Sequence, residues 1–129
     1  MTVANDEAAM LLRLAGQDRL AFATLIANPQ VELRIACFHA QQAVEKFLKA
    51  VLIAQGVTVA PTHNLLKLAA LIPQEAAAVP VASEALQRLN PYAVAFRYDD
   101  RDIHLLTRED AQCTVDAIAA WAVGLLQLD

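Results

Sequence analysis

A chain of 129 residues is the size of one ordinary domain and is long enough to bury a core without disulfides or metals, so a single domain over 1–129 is expected. The formal net charge of -4 and pI near 5.2 argue against non-specific nucleic-acid binding, whose affinity comes from counterion release by Lys and Arg, but they leave room for a local basic site. A hydrophobic content of 57% that leans on Ala, with 5% aromatics and 3 Gly, argues against a strand-rich fold and predicts an all-α one: an up-and-down bundle of four main helices plus a short or broken fifth.

No apolar run reaches the roughly 18 uninterrupted residues that a membrane crossing needs. The opening MTVANDEAAM lacks a basic stretch followed by an apolar one, so a cytoplasmic protein is expected. Cys37 and Cys113 have no Cys or His at zinc-ligand spacing, and each reads as a small core residue on a helix.

The first helix is predicted from about Asp6 to Ala27, with Asn5 as cap and Asp6 and Glu7 set against the positive end of the helix dipole. Leu11, Leu14, Ala15, Phe22, Leu25 and Ile26 recur at helical spacing. Asp18 falls on the same stripe and needs a partner, an Arg or a hydroxyl, or a place at an edge, because a lone buried carboxylate is costly. Asn28-Pro29 ends the helix, since Pro disfavours helical geometry in the residue before it.

The second helix, about Gln30 to Gln55 with Gly56 as a left-handed stop, contains the stretch around which the chain is organised, Ile35 to Leu52. At roughly 100° per residue, Ala36, Phe47, Ala40, Val51, Val44, Cys37 and Leu48 share one arc of about 120°, the core face. His39, Lys46, Gln42 and Lys49 gather on the other side, followed by Glu45, Gln41 and Arg34. Ile35, Phe38, Leu52 and Ile53 interrupt that polar arc, so part of it should meet a further helix or another subunit, as in a central helix of a bundle.

A short third helix is predicted behind Thr62 as cap, burying Leu65, Leu68, Ala69 and Ile72 before Pro73. The Ala-rich 74–83 stretch, with Pro80 inside it, reads as a loop with one loose turn at most. A fourth helix starts near Ser83, runs through Leu86 and Leu89, breaks at Asn90-Pro91, and resumes for a turn over Tyr92 to Phe96. RYDDRDIH is charged and aperiodic and reads as a surface loop. Thr107 then caps the last helix, with Asp110 three residues on in an Asp variant of the capping box, and Val115, Ile118, Ala119, Ala122, Leu125 and Leu126 continue it with Trp121 near the same core.

Two clusters could carry chemistry. His39, Gln42, Lys46 and Lys49 lie on one side of the second helix, where an imidazole and two ammonium groups could hold a phosphate or an acidic partner. The alternative is internal pairing: Glu45 with Lys49 one turn on, Lys46 solvated, and His39 and Gln42 bonded to a neighbouring helix. His63 reads as part of a helix start whose ring could line the same cleft. Arg13 and Arg19 are expected in surface ion pairs. There is no His-Glu-x-x-His, Cys-x-x-Cys, G-x-S-x-G or Walker loop, and neither a metal nor a cofactor is expected.

The segments FHAQQAVEKFLKA, THNLLKL and LNPYAVAFRYDD, in that order and ahead of a final helix, resemble the HEPN domains of prokaryotes over nearly the whole chain. The resemblance implies a helical bundle that forms homodimers and acts as a nucleotide- or partner-binding module beside a minimal nucleotidyltransferase, in a two-component, toxin-antitoxin-like system. In that reading His39, Gln42, Lys46, Lys49 and Tyr98 form the contact surface. The alternative implied by the resemblance is a metal-independent RNase toxin, because Arg97 and His104, with six residues between them, match the nuclease members' Arg–His pattern. His104 would accept the proton of a ribose 2′-hydroxyl while Arg97 stabilised charge growing on the phosphate. Tyr98 stands where the nuclease pattern has a polar residue, and Asp99, Asp100 and Asp102 put negative charge where RNA would enter.

Overall fold

The computed structural model describes residues 3–59, 61–93 and 106–126, with side chains from Asp6 onward. The described chain is all helical: α1 (Val3–Ile26), α2 (Leu33–Ala54), α3 (Leu65–Ala70), α4 (Gln74–Ala77), α5 (Ser83–Leu89), a 3-10 turn (Asn90–Ala93) and α6 (Arg108–Leu126). The expected all-α bundle is therefore found, with its length distributed unevenly. Three long helices carry it, the third and fourth predicted helices are only 6 and 7 residues long, and the Ala-rich stretch supplies one helical turn of its own. None of the described helices is long and apolar enough to cross a membrane.

α2 is the centre. Every residue of its predicted core arc is buried, with Cys37, Ala40, Val44, Leu48 and Val51 fully so, and the helix touches α1, α3, α5, the 3-10 turn and α6. Leu52, Gln41 and Glu45 are also buried, so α2 is covered on a second side as the interrupted polar arc predicted. Burying Leu48, Phe47 and Leu52 is worth about 2 kcal/mol each by apolar transfer, before conformational entropy is set against it.

The helix ends follow local chemistry. α1 begins at Val3, so Asn5 lies inside the helix instead of capping it. The turn after α1 is closed by the Asn28 side chain, which accepts from the Gln30 N–H at 2.9 Å, and by the Val31 N–H reaching the Asn28 carbonyl. Those bonds engage residues 28–31 and delay α2 to Leu33 instead of Gln30. Gly56 has φ 76°, the left-handed value that stops α2. Thr107 caps α6 as predicted, its hydroxyl accepting the Asp110 N–H at 3.0 Å.

The cap of α3 is Asn64, not Thr62: Asn64 Oδ1 accepts the N–H groups of Leu66 and Lys67, while Thr62 Oγ1 accepts the Asn64 N–H one step upstream. Asn90 completes the arrangement across the fold. Its Oδ1 accepts the Leu65 N–H at 2.9 Å and its Nδ2 donates to Asn64 Oδ1 at 3.0 Å. Two sequence-distant segments, THN and LNPY, thus satisfy one set of orphan helix-start donors together.

Two side chains depart from their expected places. Leu14 is 37% exposed, on the flank of α1 that also exposes Met10. Cys113 is exposed, whereas Cys37 is buried as expected. Trp121 packs against the core from its margin, as expected.

Candidate functional site

Two carboxylates organise the polar side of α2. Asp18, on α1, meets two α2 side chains that lie on the same face of that helix: Lys46 Nζ donates to Oδ2, and His39 Nδ1 lies 3.2 Å from Oδ1. The partner that the α1 stripe demanded for Asp18 is therefore an ammonium group and an imidazole, in place of an Arg or a hydroxyl. The Phe38 ring meets His39 edge-on at 5.2 Å and limits how that imidazole can turn.

The second node is Glu45, only 4% exposed. Its Oε2 accepts from Lys49 Nζ at 2.9 Å, and His63 Nδ1 lies 3.0 Å from both carboxylate oxygens. Gln41 Nε2 donates to Oε1 at 3.2 Å and to the His63 carbonyl at 3.0 Å, and Gln42 Nε2 donates to Gln41 Oε1 at 2.8 Å. A buried carboxylate without such partners would be unfavourable by several kcal/mol, and here each oxygen has at least two donors.

The two nodes resemble each other. Each carboxylate holds one Lys Nζ and one His Nδ1, which leaves each His Nε2 directed away from the carboxylate. A carboxylate only accepts hydrogen bonds, so Nδ1 carries the proton in both rings and Nε2 keeps its lone pair when the ring is neutral. Asp18 and Glu45 together balance Lys46 and Lys49, and the stripe between the nodes carries no formal net charge while the imidazoles are neutral.

His39, Gln42, Lys46 and Lys49 do lie on one partly exposed stripe, but they are already bonded. The internal-pairing alternative describes much of what is seen, with two differences: Lys46 is bound to Asp18, and Gln42 bonds within α2 to Gln41. His63 joins the Glu45 node. Arg97, Tyr98 and His104 lie outside the described residues. Arg19 makes the expected surface ion pair, at 2.9 Å from Asp116.

Sequence reasoning missed Glu45 and Gln41 as the organisers of the site. The available signal was their place beside Leu52, an apolar interruption of the polar arc that marks a covered side, where a polar group needs internal partners. It also missed a groove of about 350 Å³ between α5 and α6, bordered by Val81, Ala85, Arg88, Asp110, Cys113 and Ala117. Neither of two buried ionisable groups elsewhere in the core offers a ready nucleophile. Burial pushes the Cys37 thiol up to about 12 against a small opposing effect of Arg108, and burial, then the nearby Cys37, pushes the Tyr92 hydroxyl up to about 12.

Comparison with known proteins adds the family. The HEPN domain model matches residues 10–120, a span that holds both nodes and the Arg97–His104 segment. One solved structure, that of TT1696 from Thermus thermophilus, is similar at 28% identity with a TM-score of 0.65, covering 93% of this chain and 95% of that chain. No curated protein matches the chain.

Proposed function

Because this chain belongs to the HEPN domain family, we propose that it is a nucleotide- or partner-binding module acting with a minimal nucleotidyltransferase in a two-component, toxin-antitoxin-like prokaryotic system. The observation that carries this reading is the α2 stripe: His39, Gln42, Lys46 and Lys49 stand partly exposed in fixed positions above two paired carboxylates. A stripe whose cations are each matched by a carboxylate suits a protein surface or one small phosphate group better than a long polyanion, which would need unbalanced positive charge.

Ile35, Phe38 and Ile53 interrupt the same stripe and are partly exposed, which supports a second copy or a partner packing there and a homodimer as the working form. The family resemblance adds Tyr98, outside the described residues, to this proposed contact surface, and the free thiols of Cys37 and Cys113 suit a cytoplasmic location. The test is co-purification with the separately encoded nucleotidyltransferase, together with calorimetry against ATP. Association at micromolar concentration or a saturable heat supports the reading, and the absence of both removes it.

The second reading, a metal-independent endoribonuclease, is favoured by the spacing of Arg97 and His104 in a chain of this family. Purified protein would then cut RNA in EDTA, and His104→Ala would abolish cutting while leaving the helical signal intact. RNA left equally whole by wild type and variant rules it out.

A further inference from the structure

Resting on the nucleotide-binding half of that reading, we propose that His63, Glu45 and Lys49 form the subsite that receives the ribose and phosphate of a ribonucleotide. The His63 side chain is 73% exposed, yet the residue is held twice by groups that are almost wholly buried. Gln41, at 0% exposure, donates to its carbonyl, and Glu45, at 4%, binds its ring nitrogen. Fixing the connector ahead of α3 would need only the Gln41 bond to the backbone. The Glu45 contact adds orientation of the ring, holding an exposed imidazole in one direction beside the Lys49 ammonium that binds the same carboxylate.

Glu45 also determines what the ring offers. With the Nδ1 proton engaged by the carboxylate, the Nε2 of the neutral ring presents an acceptor lone pair to solvent, suited to a hydroxyl donor. Lys49 Nζ and His63 Nδ1 meet the same Oε2 atom at 2.9 and 3.0 Å, which keeps those two nitrogens within about 6 Å of each other and the outward Nε2, across the ring, within about 8 Å of the ammonium group. An ammonium group has three protons, and Glu45 uses one, so Lys49 retains donors for a phosphate oxygen. A hydroxyl acceptor and a cation within about 8 Å of each other match the sugar hydroxyls and phosphate of a nucleotide better than inorganic phosphate or a free sugar, either of which would leave one of the two groups without a partner.

The experiment follows the His63 ring signals by NMR while the full chain is titrated with AMP, with 2′,3′-dideoxy AMP and with inorganic phosphate. AMP is expected to move the His63 signals saturably and the dideoxy analogue to bind about tenfold more weakly, the effect of one lost hydrogen bond to an oriented group. Lys49→Gln is expected to weaken both nucleotides alike, while His63→Phe removes the preference for the hydroxylated sugar and leaves the circular dichroism helical. Unmoved His63 signals at millimolar AMP, or equal affinity of the wild type for the two nucleotides, overturns the subsite. An ATP heat by calorimetry without any His63 shift would sink this subsite and leave the broader nucleotide reading standing, whereas failure to associate with the nucleotidyltransferase would count against the partner half of the reading and leave this subsite standing.

Discussion

Replacing Glu45 separates the contribution of the buried node from that of its surface members. In Glu45→Gln the shape is kept and the charge lost. Lys49 and His63 sit at 20% and 73% side-chain exposure and can turn to water, so most of their loss is recovered, while Gln41, at 0% exposure, keeps its bond to the His63 carbonyl. What remains is the difference between charge-assisted and neutral hydrogen bonds at a site of low exposure, about 1–2 kcal/mol. Glu45→Leu also strands one buried Gln41 N–H and should cost about 2–4 kcal/mol. Urea unfolding at pH 7 reads both: with an unchanged slope, the midpoint falls by up to about 1 M for the Gln variant and by more for the Leu variant. A Leu variant as stable as the wild type would show that the node contributes nothing beyond the volume of its side chains, and Glu45 could not then be the organiser of the site.

Asn90→Ala should cost about 2 kcal/mol in the same unfolding assay, because it removes both the acceptor of the Leu65 N–H and the donor that holds the Asn64 cap; a loss under ~0.5 kcal/mol would mean that water replaces it freely. Stability should also fall as pH rises. The Cys37 thiol is pushed up to about 12 in the fold against 9.0 for the free group, so the unfolded chain ionises first; the contribution is complete below pH 9 and is lost as pH climbs from there toward 12, up to about 4 kcal/mol in all. Tyr92, raised from 10.0 to about 12, adds in the same direction. Cys37→Ala should flatten the decline measured between pH 8 and about 10.5, and parallel curves for the two proteins would contradict this origin.

The core face of α2 was legible because apolar residues at helical spacing state directly which side turns inward. Gly56 and Thr107 were equally plain, since a left-handed stop and a hydroxyl cap are decided within a few residues. Asn64 was harder: Thr62 and Asn64 are both capping types, and the choice was settled by Asn90, twenty-six positions away. Leu14 and Cys113 were misplaced because a periodic stripe gives the direction of a face but not its width, and the covering element determines where burial ends. The same limit concealed the site. His39, Lys46 and Lys49 could be grouped from the wheel, but which carboxylate each would meet depended on how α1 and the connector before α3 pack against α2.

The proposed function places binding on the partly exposed stripe of α2, and binding of the proposed nucleotidyltransferase partner to an altered stripe tests that proposal most directly. Wild-type protein should bind at micromolar concentration, and the double variant Gln42→Ala, Lys46→Gln should bind at least about tenfold more weakly with its helical signal unchanged. A partner that binds both proteins equally well would put the functional surface elsewhere on the molecule.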